Sequence, residues 1–279
     1  WRYKTMLGKL LKYEFKATAR VLPIFYAAVI ALAIMASILT KVSNLDAVIE
    51  ANSILVYIPT VLTWMAYGIA IAAVSVLTLV VIIHRFYTNL LQSEGYLMHA
   101  LPVTTSEHIV SKVVPSVVWT LASVVVITFS AVIVASDGIS DLFRVLKNVI
   151  STIFEVLGTG SSAISMILGF IIILCAIAAT VLTIYAAMSI GQTSDRHKIL
   201  MSFVAYIALS AIESVIETFG IAFLQILASI DSITNAIASL SAGTALNLGL
   251  LGLLVVVAAE GAVYYFVTKH CLSKKLNME

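Results

Sequence analysis

The sequence predicts an all-α integral membrane protein with six transmembrane helices, an amphipathic N-terminal interface helix and both termini in the cytoplasm. Of its 279 residues, 61% are hydrophobic and only 11% are charged, and the mean hydropathy is +1.10. A soluble domain carries about 25% charged residues, so most of this surface is expected to face lipid. The chain also contains six long apolar runs, and most of its basic residues fall on one side of them.

Each apolar run is long enough to cross a bilayer as a helix. About 20 apolar residues cross the roughly 30 Å of hydrocarbon. The runs are continuously apolar, whereas the strands of a membrane barrel alternate apolar and polar residues. The chain is therefore predicted to form a single transmembrane domain, residues 1–279. Its spans are predicted at about residues 21–39, 54–83, 113–135, 166–190, 199–227 and 246–268.

Lysine and arginine are distributed unevenly between the two sides of these spans. Thirteen of the 16 lie before the first span, between spans two and three, between spans four and five, or after span six. The other side has Lys41, Arg144 and Lys147. Because positively charged short loops remain in the cytoplasm, this pattern predicts a cytoplasmic location for both termini. All five histidines lie on that same side, which gives no support to a histidine proton relay inside the membrane.

Two segments outside the spans are amphipathic. In residues 6–20, leucines and Phe15 fall on one helical face and lysines on another, which predicts a helix in the cytoplasmic interface of the membrane. Simple anchoring by positive charge explains the same pattern and is compatible with that helix. On the other side, residues 139–157 predict a short helix on the outer surface, within an extracellular segment at 136–165.

Motifs that carry enzyme chemistry are missing from the sequence. It contains no G-x-x-x-x-G-K-[ST] phosphate loop, no H-E-x-x-H metal motif and no G-x-S-x-G turn. The two cysteines, Cys175 and Cys271, indicate neither a disulfide framework nor a metal site. No cluster of His, Asp or Glu is evident at one membrane depth. We therefore expect no enzyme activity, no metal and no cofactor in this chain, and no nucleic acid partner.

The segment between the second and third spans, residues 84–112, is too apolar for a solvated loop. Residues 89–94 predict a short helix that ends at Gly95. Thr104 and Glu107 have the spacing of a capping box, which would start the helix of the third span. The large apolar side chains of this segment should be covered by lipid headgroups or by a protein partner. These side chains are Leu90, Leu91, Tyr96 and Leu97.

Three glutamates lie within predicted spans. Because charge at the centre of a bilayer is costly, such carboxylates are functional candidates. Glu213 and Glu217 share one helical face and are the candidate residues of a substrate pathway. If the fifth span ends early, Glu217 lies in water, and the same alternative applies to Glu213. Glu260 is flanked by small residues that suggest a close helix contact, so a structural hydrogen bond is favoured there over transport chemistry.

Five stretches of the sequence resemble one protein family. In chain order they are MLGKLLKYEFKATAR (6–20), FYTNLLQSEGYL (86–97), ALPVTTSEHIVSK (100–112), SIGQTSDRHKIL (189–200) and YYFVTKHCLSKKLNME (264–279). Together they resemble the membrane permease subunit of bacterial type-2 (six-span) ABC exporters of the Gram-positive type. Each stretch alone has little specificity. Their order from one end of the chain to the other makes the resemblance specific.

The resemblance implies a coupling site and a set of partners. In that family the segment between spans two and three is a coupling helix that docks on a separate ATPase subunit. Here it would cover residues 87–97, with Glu94 at its centre, and the basic N-terminal helix would also contact the ATPase. ATP and Mg would be bound by that partner. The implied coupling residues are Tyr87, Leu90, Leu91, Glu94, Gly95, Tyr96 and Leu97.

The family resemblance further implies a multi-pass permease in the bacterial plasma membrane. It would pair with a second permease subunit, identical or paralogous, and contact membrane lipid. Its cargo would be amphipathic or hydrophobic, such as an antimicrobial peptide, a lipid or a drug. The outer segment at 136–165 is longer than a minimal connection, and no role is assigned to it. Two other interpretations stay open: an ion-coupled secondary transporter that uses Glu213 and Glu260, and a non-transporting membrane sensor or assembly factor.

Overall fold

The described part of the chain contains helices and no strands. The computed structural model describes residues 4–45, 54–91, 103–136, 139–158, 163–194, 196–230 and 240–274. A π-helical turn, Tyr87–Leu91, directly follows the helix that ends at Phe86. The helices are α1 (Lys4–Thr18), α2 (Leu22–Ser43), α3 (Ile54–Phe86), α4 (Thr105–Ala135), α5 (Ile139–Gly158), α6 (Ala163–Gly191), α7 (Lys198–Ala228) and α8 (Ala242–Lys274).

Six of these helices are long and apolar enough to cross a membrane, namely α2, α3, α4, α6, α7 and α8. The predicted all-α class with six spans is therefore confirmed. Several helices run beyond the predicted apolar runs, because polar and basic residues at their ends continue the helical hydrogen-bond pattern. We call the side of the membrane that carries the 13 basic residues the basic side. Its assignment to the cytoplasm stays a prediction.

The start of α4 shows why that helix is longer than its apolar run. The backbone N–H of Thr104 donates to Oε2 of Glu107 at 2.8 Å, and the N–H of Glu107 donates to Oγ1 of Thr104 at 3.3 Å. This reciprocal pair satisfies two donors that the first turn of a helix leaves unpaired. The predicted capping box is thus confirmed, and it starts α4 at Thr105, about two turns before the predicted span at 113–135.

The two predicted amphipathic segments are both helical. In α1 the leucines at positions 7, 10 and 11 are half-buried, while Lys9, Lys12 and Lys16 are exposed. α5 coincides with the predicted outer helix and carries an Asp141–Arg144 ion pair in its first turns. The helical faces therefore agree with the sequence pattern, and contact of either helix with lipid stays a prediction.

The chain divides into two compact units, each of which is described by itself. The N-terminal unit comprises Gly8–Ile82 and Val118–Thr152. The C-terminal unit comprises Trp1–Leu7, Ile83–Val117 and Ile153–Glu279.

In the N-terminal unit, α2 buries residues that recur every three or four positions along one helical face. Leu22, Val29 and Ala33 are fully buried and pack against α3, which contributes Tyr67 and Val74 to the same core. Half-buried side chains of α4 complete it. The spacing explains the packing, because residues three and four apart in a helix lie on the same face.

Hydrogen bonds between serines and aromatic residues tie the spans of this unit together. Oγ of Ser123 on α4 lies 2.8 Å from the hydroxyl oxygen of Tyr26 and 2.8 Å from Oγ1 of Thr78. Two turns along α4, Oγ of Ser130 lies 2.9 Å from the hydroxyl of Tyr67. Such bonds between membrane helices contribute about 0.6 kcal/mol each. They also fix the rotation of α4 against α2 and α3.

In the C-terminal unit, α6 is the central helix. All nine residues from 181 to 189 are buried, so this part of α6 is covered on every side. α7 and α8 both pack on α6. By contrast, most side chains of α7 are exposed, and Ala205 is a buried exception. α6 therefore positions the two outer helices of the unit, and their polar side chains approach one another around it.

Glycine permits the closest of these helix contacts. Gly191, the last residue of α6, lies against the first turns of α7. A Cβ added to Gly191 would be 2.5 Å from the backbone N and 2.6 Å from the Cα of Ser202, and it would also collide with the Ser202 hydroxyl. Only a residue without a side chain fits there. The tight contact sets the angle at which α7 leaves the α6–α7 connection.

Candidate functional site

Two glutamates from different helices of the C-terminal unit lie close to each other along the apolar parts of those helices. The carboxyl groups of Glu213 on α7 and Glu260 on α8 interact electrostatically. Glu213 is about 15 residues, or roughly 22 Å, from the basic-side end of α7. Glu260 is about 14 residues, or roughly 21 Å, from the basic-side end of α8. Both positions place the pair near mid-membrane.

The carboxyl pair has polar neighbours on all three helices. Glu217 lies one turn further along α7, is exposed, and acts electrostatically on Glu260. Tyr264 lies one turn from Glu260 on α8 and is buried. Its hydroxyl lies close to the side chain of Thr183 on α6. We call Glu213, Glu217, Glu260, Tyr264 and Thr183 the carboxyl cluster.

The chemistry of the cluster follows from its two neighbouring carboxyl groups. Two carboxylates are both acceptors, so a hydrogen bond between Glu213 and Glu260 would require one proton. The described residues contain no group of three or more His, Cys, Asp or Glu that could hold a metal ion. The arrangement can bind a proton or pair with a cationic group.

Helix packing brings Glu260 to this position. A Cβ added to Gly261 would lie 3.6 Å from the Cβ of Ala179 on α6, which is ordinary van der Waals contact. The predicted close helix contact beside Glu260 is therefore confirmed for Gly261. The other small neighbours, at positions 258, 259 and 262, are exposed. The predicted hydrogen bond of Glu260 stays a prediction, and Glu213 is the carboxyl group placed to form it.

The structure adds a relation between helices, because Glu213 on α7 and Glu260 on α8 lie close to each other. The sequence showed that Glu213 and Glu217 share a face, and Glu260 and Tyr264 have the same four-residue spacing. It did not show that these two faces approach each other across α6. The sequence did not identify Thr183 or Tyr264 as functional candidates, because hydroxyl groups are common in apolar spans.

Three of the predicted coupling residues directly follow α3 at its basic-side end. Tyr87 is half-buried, while Leu90 is 0% and Leu91 6% exposed. The expectation that lipid or a partner protein covers Leu90 and Leu91 is therefore wrong, because the chain itself buries both. The π-helical turn ends at Leu91, within the predicted helix at 89–94. The remaining predicted coupling residues, Glu94, Gly95, Tyr96 and Leu97, lie outside the described residues.

An aromatic stack fixes this turn to α6. The rings of Phe86 and Tyr185 are stacked with their centroids 3.9 Å apart and an angle of 13° between their planes. Both side chains are fully buried. The hydroxyl of Tyr185 lies 2.9 Å from Oγ of Ser116 on α4. Three helices of the C-terminal unit are thus joined at one point, directly before Tyr87.

Buried polar residues continue from this point toward the basic side. α4 and α6 run in opposite directions and pair at Ser116 and Tyr185. One turn further on each helix are Lys112 and Ser189, which are 3% and 2% exposed. Another turn brings His108 and Gln192, also buried. Sequence reasoning missed this polar seam, because no single residue of it shows which residue of the other helix it faces.

In comparisons with known proteins, no family model, no curated protein and no solved structure matches the chain. A functional conclusion depends on the chain's own motifs, on the carboxyl cluster and on the anchored turn after α3.

The proximity of Glu213 and Glu260 makes a measurable prediction. Glu213→Ala and Glu260→Ala should each lower the free energy of unfolding, and the double variant should lose about 1 kcal/mol less than the sum of the two. The reason is that either single change already removes the interaction between the two carboxyl groups. Unfolding of the purified protein in mixed detergent micelles by sodium dodecyl sulfate measures this. The matched control is Glu155→Ala combined with Glu260→Ala, since Glu155 is an exposed carboxylate on α5. Strict additivity in the Glu213–Glu260 cycle would show that the two side chains do not interact.

Proposed function

We propose that the chain is the transmembrane permease subunit of an ATP-driven ABC exporter in a bacterial plasma membrane. Its cargo would be amphipathic or hydrophobic, of the antimicrobial peptide, lipid or drug class. The five stretches that resemble such permeases support this proposal, as do the six helices long enough to span a membrane. The observation that carries it is the rigid anchoring of the turn Tyr87–Leu91 at the basic-side end of α3.

A permease driven by a separate ATPase needs a mechanical connection to it. The turn after α3 supplies such a connection, because Leu90 and Leu91 are buried and Phe86 is stacked on Tyr185. A displacement applied at the turn is passed through these rings to α6 and through the Tyr185 hydroxyl to Ser116 of α4. A flexible loop would absorb the same displacement. The capping box at Thr104 gives the returning chain a defined helix start.

The subunits of the proposed complex have separate roles. The partner ATPase binds ATP and Mg and hydrolyses the nucleotide. This chain supplies the spans and, at residues 87–97, the contact with the ATPase. A second permease subunit, identical or paralogous, completes the pathway. Binding and hydrolysis of ATP rock the two halves, and cargo leaves on the side opposite the ATPase.

Glu94 offers the cleanest test of the coupling role. Glu94→Ala should lower cargo-stimulated ATP hydrolysis of the reconstituted complex several-fold, because a charged contact with the ATPase is lost. Leu91→Asp is unsuitable, since Leu91 is buried and a charge there would unfold the turn. The matched control is Glu155→Ala on α5, which removes an exposed carboxylate from the other side. Equal stimulation in wild type and Glu94→Ala would contradict a coupling role for this residue.

A second candidate function is ion-coupled secondary transport, which the carboxyl cluster specifically favours. A carboxyl pair near mid-membrane that shares a proton can take up and release that proton as the two sides become accessible. Glu213→Gln keeps the shape and the capacity to hydrogen-bond but removes the titratable group. If Glu213→Gln abolishes cargo movement driven by a pH gradient without ATP, secondary transport is the function. If transport needs ATP and Glu213→Gln leaves it intact, the cluster is structural.

A further inference from the structure

A groove opens beside the turn after α3, at the basic-side start of α7. It has a volume of about 720 Å³ and lies wholly within the C-terminal unit. Its walls come from the turn itself, from the α6–α7 connection and from the first two turns of α7. The lining residues are Tyr87, Arg196, His197, Lys198, Ile199, Leu200 and Phe203.

The two ends of this groove differ in chemistry. One end carries the cations Arg196 and Lys198 together with His197, and the described lining includes no acidic residue. Arg196 and His197 are exposed, so their polar atoms can reach a ligand. The guanidinium group of arginine fits phosphate oxygens with two parallel hydrogen bonds. This end of the groove is suited to an anion that carries a phosphate.

The other end of the groove is apolar and belongs to a membrane span. Ile199, Leu200 and Phe203 are 72%, 64% and 67% exposed, and they follow Lys198 directly at the start of α7. A helix of this length and hydropathy crosses the bilayer, so these side chains enter the hydrocarbon within the first two turns. The boundary between headgroups and acyl chains therefore passes through the groove, with Tyr87 at its rim.

We propose that this groove binds one anionic phospholipid of the basic-side leaflet. The headgroup phosphate lies between Arg196 and Lys198, and an acyl chain follows Leu200 and Phe203 along α7. A lipid fits better than an acidic segment of a partner protein, because a protein segment would leave the apolar wall inside the bilayer unmatched. Basic pockets between membrane helices bind acidic headgroups for the same reason. The site does not depend on the chain being a permease, so it survives failure of the proposed function.

Electron paramagnetic resonance of spin-labelled lipids tests the site on the full chain in bilayers of phosphatidylcholine. Wild type should prefer labelled phosphatidylglycerol over labelled phosphatidylcholine. In Arg196→Gln combined with Lys198→Gln the preference should fall about fivefold for each cation removed. Lys12→Gln combined with Lys16→Gln is the matched control, since it removes two exposed cations from the same side outside the groove. The control should lose less of the preference, because lysines of an interface helix attract anionic lipid only as diffuse charge.

Further measurements distinguish a bound phospholipid from other anionic ligands. Leu200→Ser combined with Phe203→Ser keeps both cations and should weaken the preference through loss of the acyl-chain wall. Inorganic phosphate, added against chloride at equal ionic strength, should not displace the labelled lipid. Displacement by inorganic phosphate would show a phosphate site instead. Equal losses in the groove variant and the control would indicate diffuse surface charge, and an acidic peptide that displaces the lipid would indicate a protein ligand. Each of these three results overturns the proposal.

Discussion

Phe86→Ala is expected to lower the free energy of unfolding by about 3 kcal/mol or more, the largest effect of any single truncation proposed here. The side chain is fully buried, and its ring stacks on Tyr185 at 3.9 Å. Removing it leaves a cavity between α3 and α6 and frees the turn that follows. Titration of the purified protein with sodium dodecyl sulfate in mixed micelles measures the loss. Phe266→Ala, which removes a ring that is 64% exposed on α8, is the matched control.

A second variant separates the contribution of the ring stack from that of the Tyr185 hydroxyl. Tyr185→Phe keeps the stack and removes only the hydroxyl that pairs with Ser116, so its effect should stay near 1 kcal/mol. If Phe86→Ala and Phe266→Ala destabilise the protein equally, the stack does not hold the turn in place. The proposed mechanical connection would then have no physical basis at this point.

Gly191→Ala is expected to destabilise the C-terminal unit by about 2 kcal/mol, and Gly191→Leu by more. The added Cβ would be 2.5 Å from the backbone N of Ser202. Because backbone atoms are the obstacle, Ser202→Ala should not rescue the variant. The control is Gly220→Ala in α7, where an added Cβ meets nothing within 4 Å and the change should be neutral or slightly stabilising.

Detergent unfolding and the yield of monodisperse protein both report on Gly191→Ala. A wild-type midpoint for that variant, with Gly220→Ala also unchanged, would mean that α7 is free to move away from the end of α6. The angle between these helices would then be set elsewhere, and Glu213 would not be held in place by this contact.

The six spans could be predicted because bilayer thickness and continuous hydrophobicity constrain length and type together. The capping box could be predicted because its two residues bond within one turn, so spacing alone determines the geometry. Helix ends were less predictable. α4 and α8 extend beyond their apolar runs, since the backbone hydrogen bonds of a helix do not stop where hydrophobicity does.

Contacts between distant segments could not be predicted from the sequence. Glu213 and Glu260 were recognised singly, but their proximity depends on how α7 and α8 pack on α6. Leu90 and Leu91 were expected to need an external cover, because a single sequence does not show that the chain buries them. Tyr185 was not singled out, because the sequence of an apolar span does not show which residue an aromatic side chain contacts. In the structure that residue is Phe86.

The most direct measurement of the central proposal is site-specific cross-linking to an ATPase in the native membrane. A photo-reactive residue at position 94 should cross-link to a P-loop ATPase, and the same residue at position 155 should not. The cross-linked complex should hydrolyse ATP, with cargo raising the rate. Purification of the intact, folded chain without any nucleotide-hydrolysing partner would contradict an ABC permease, and it would do so decisively if the chain alone moved cargo in a proton gradient.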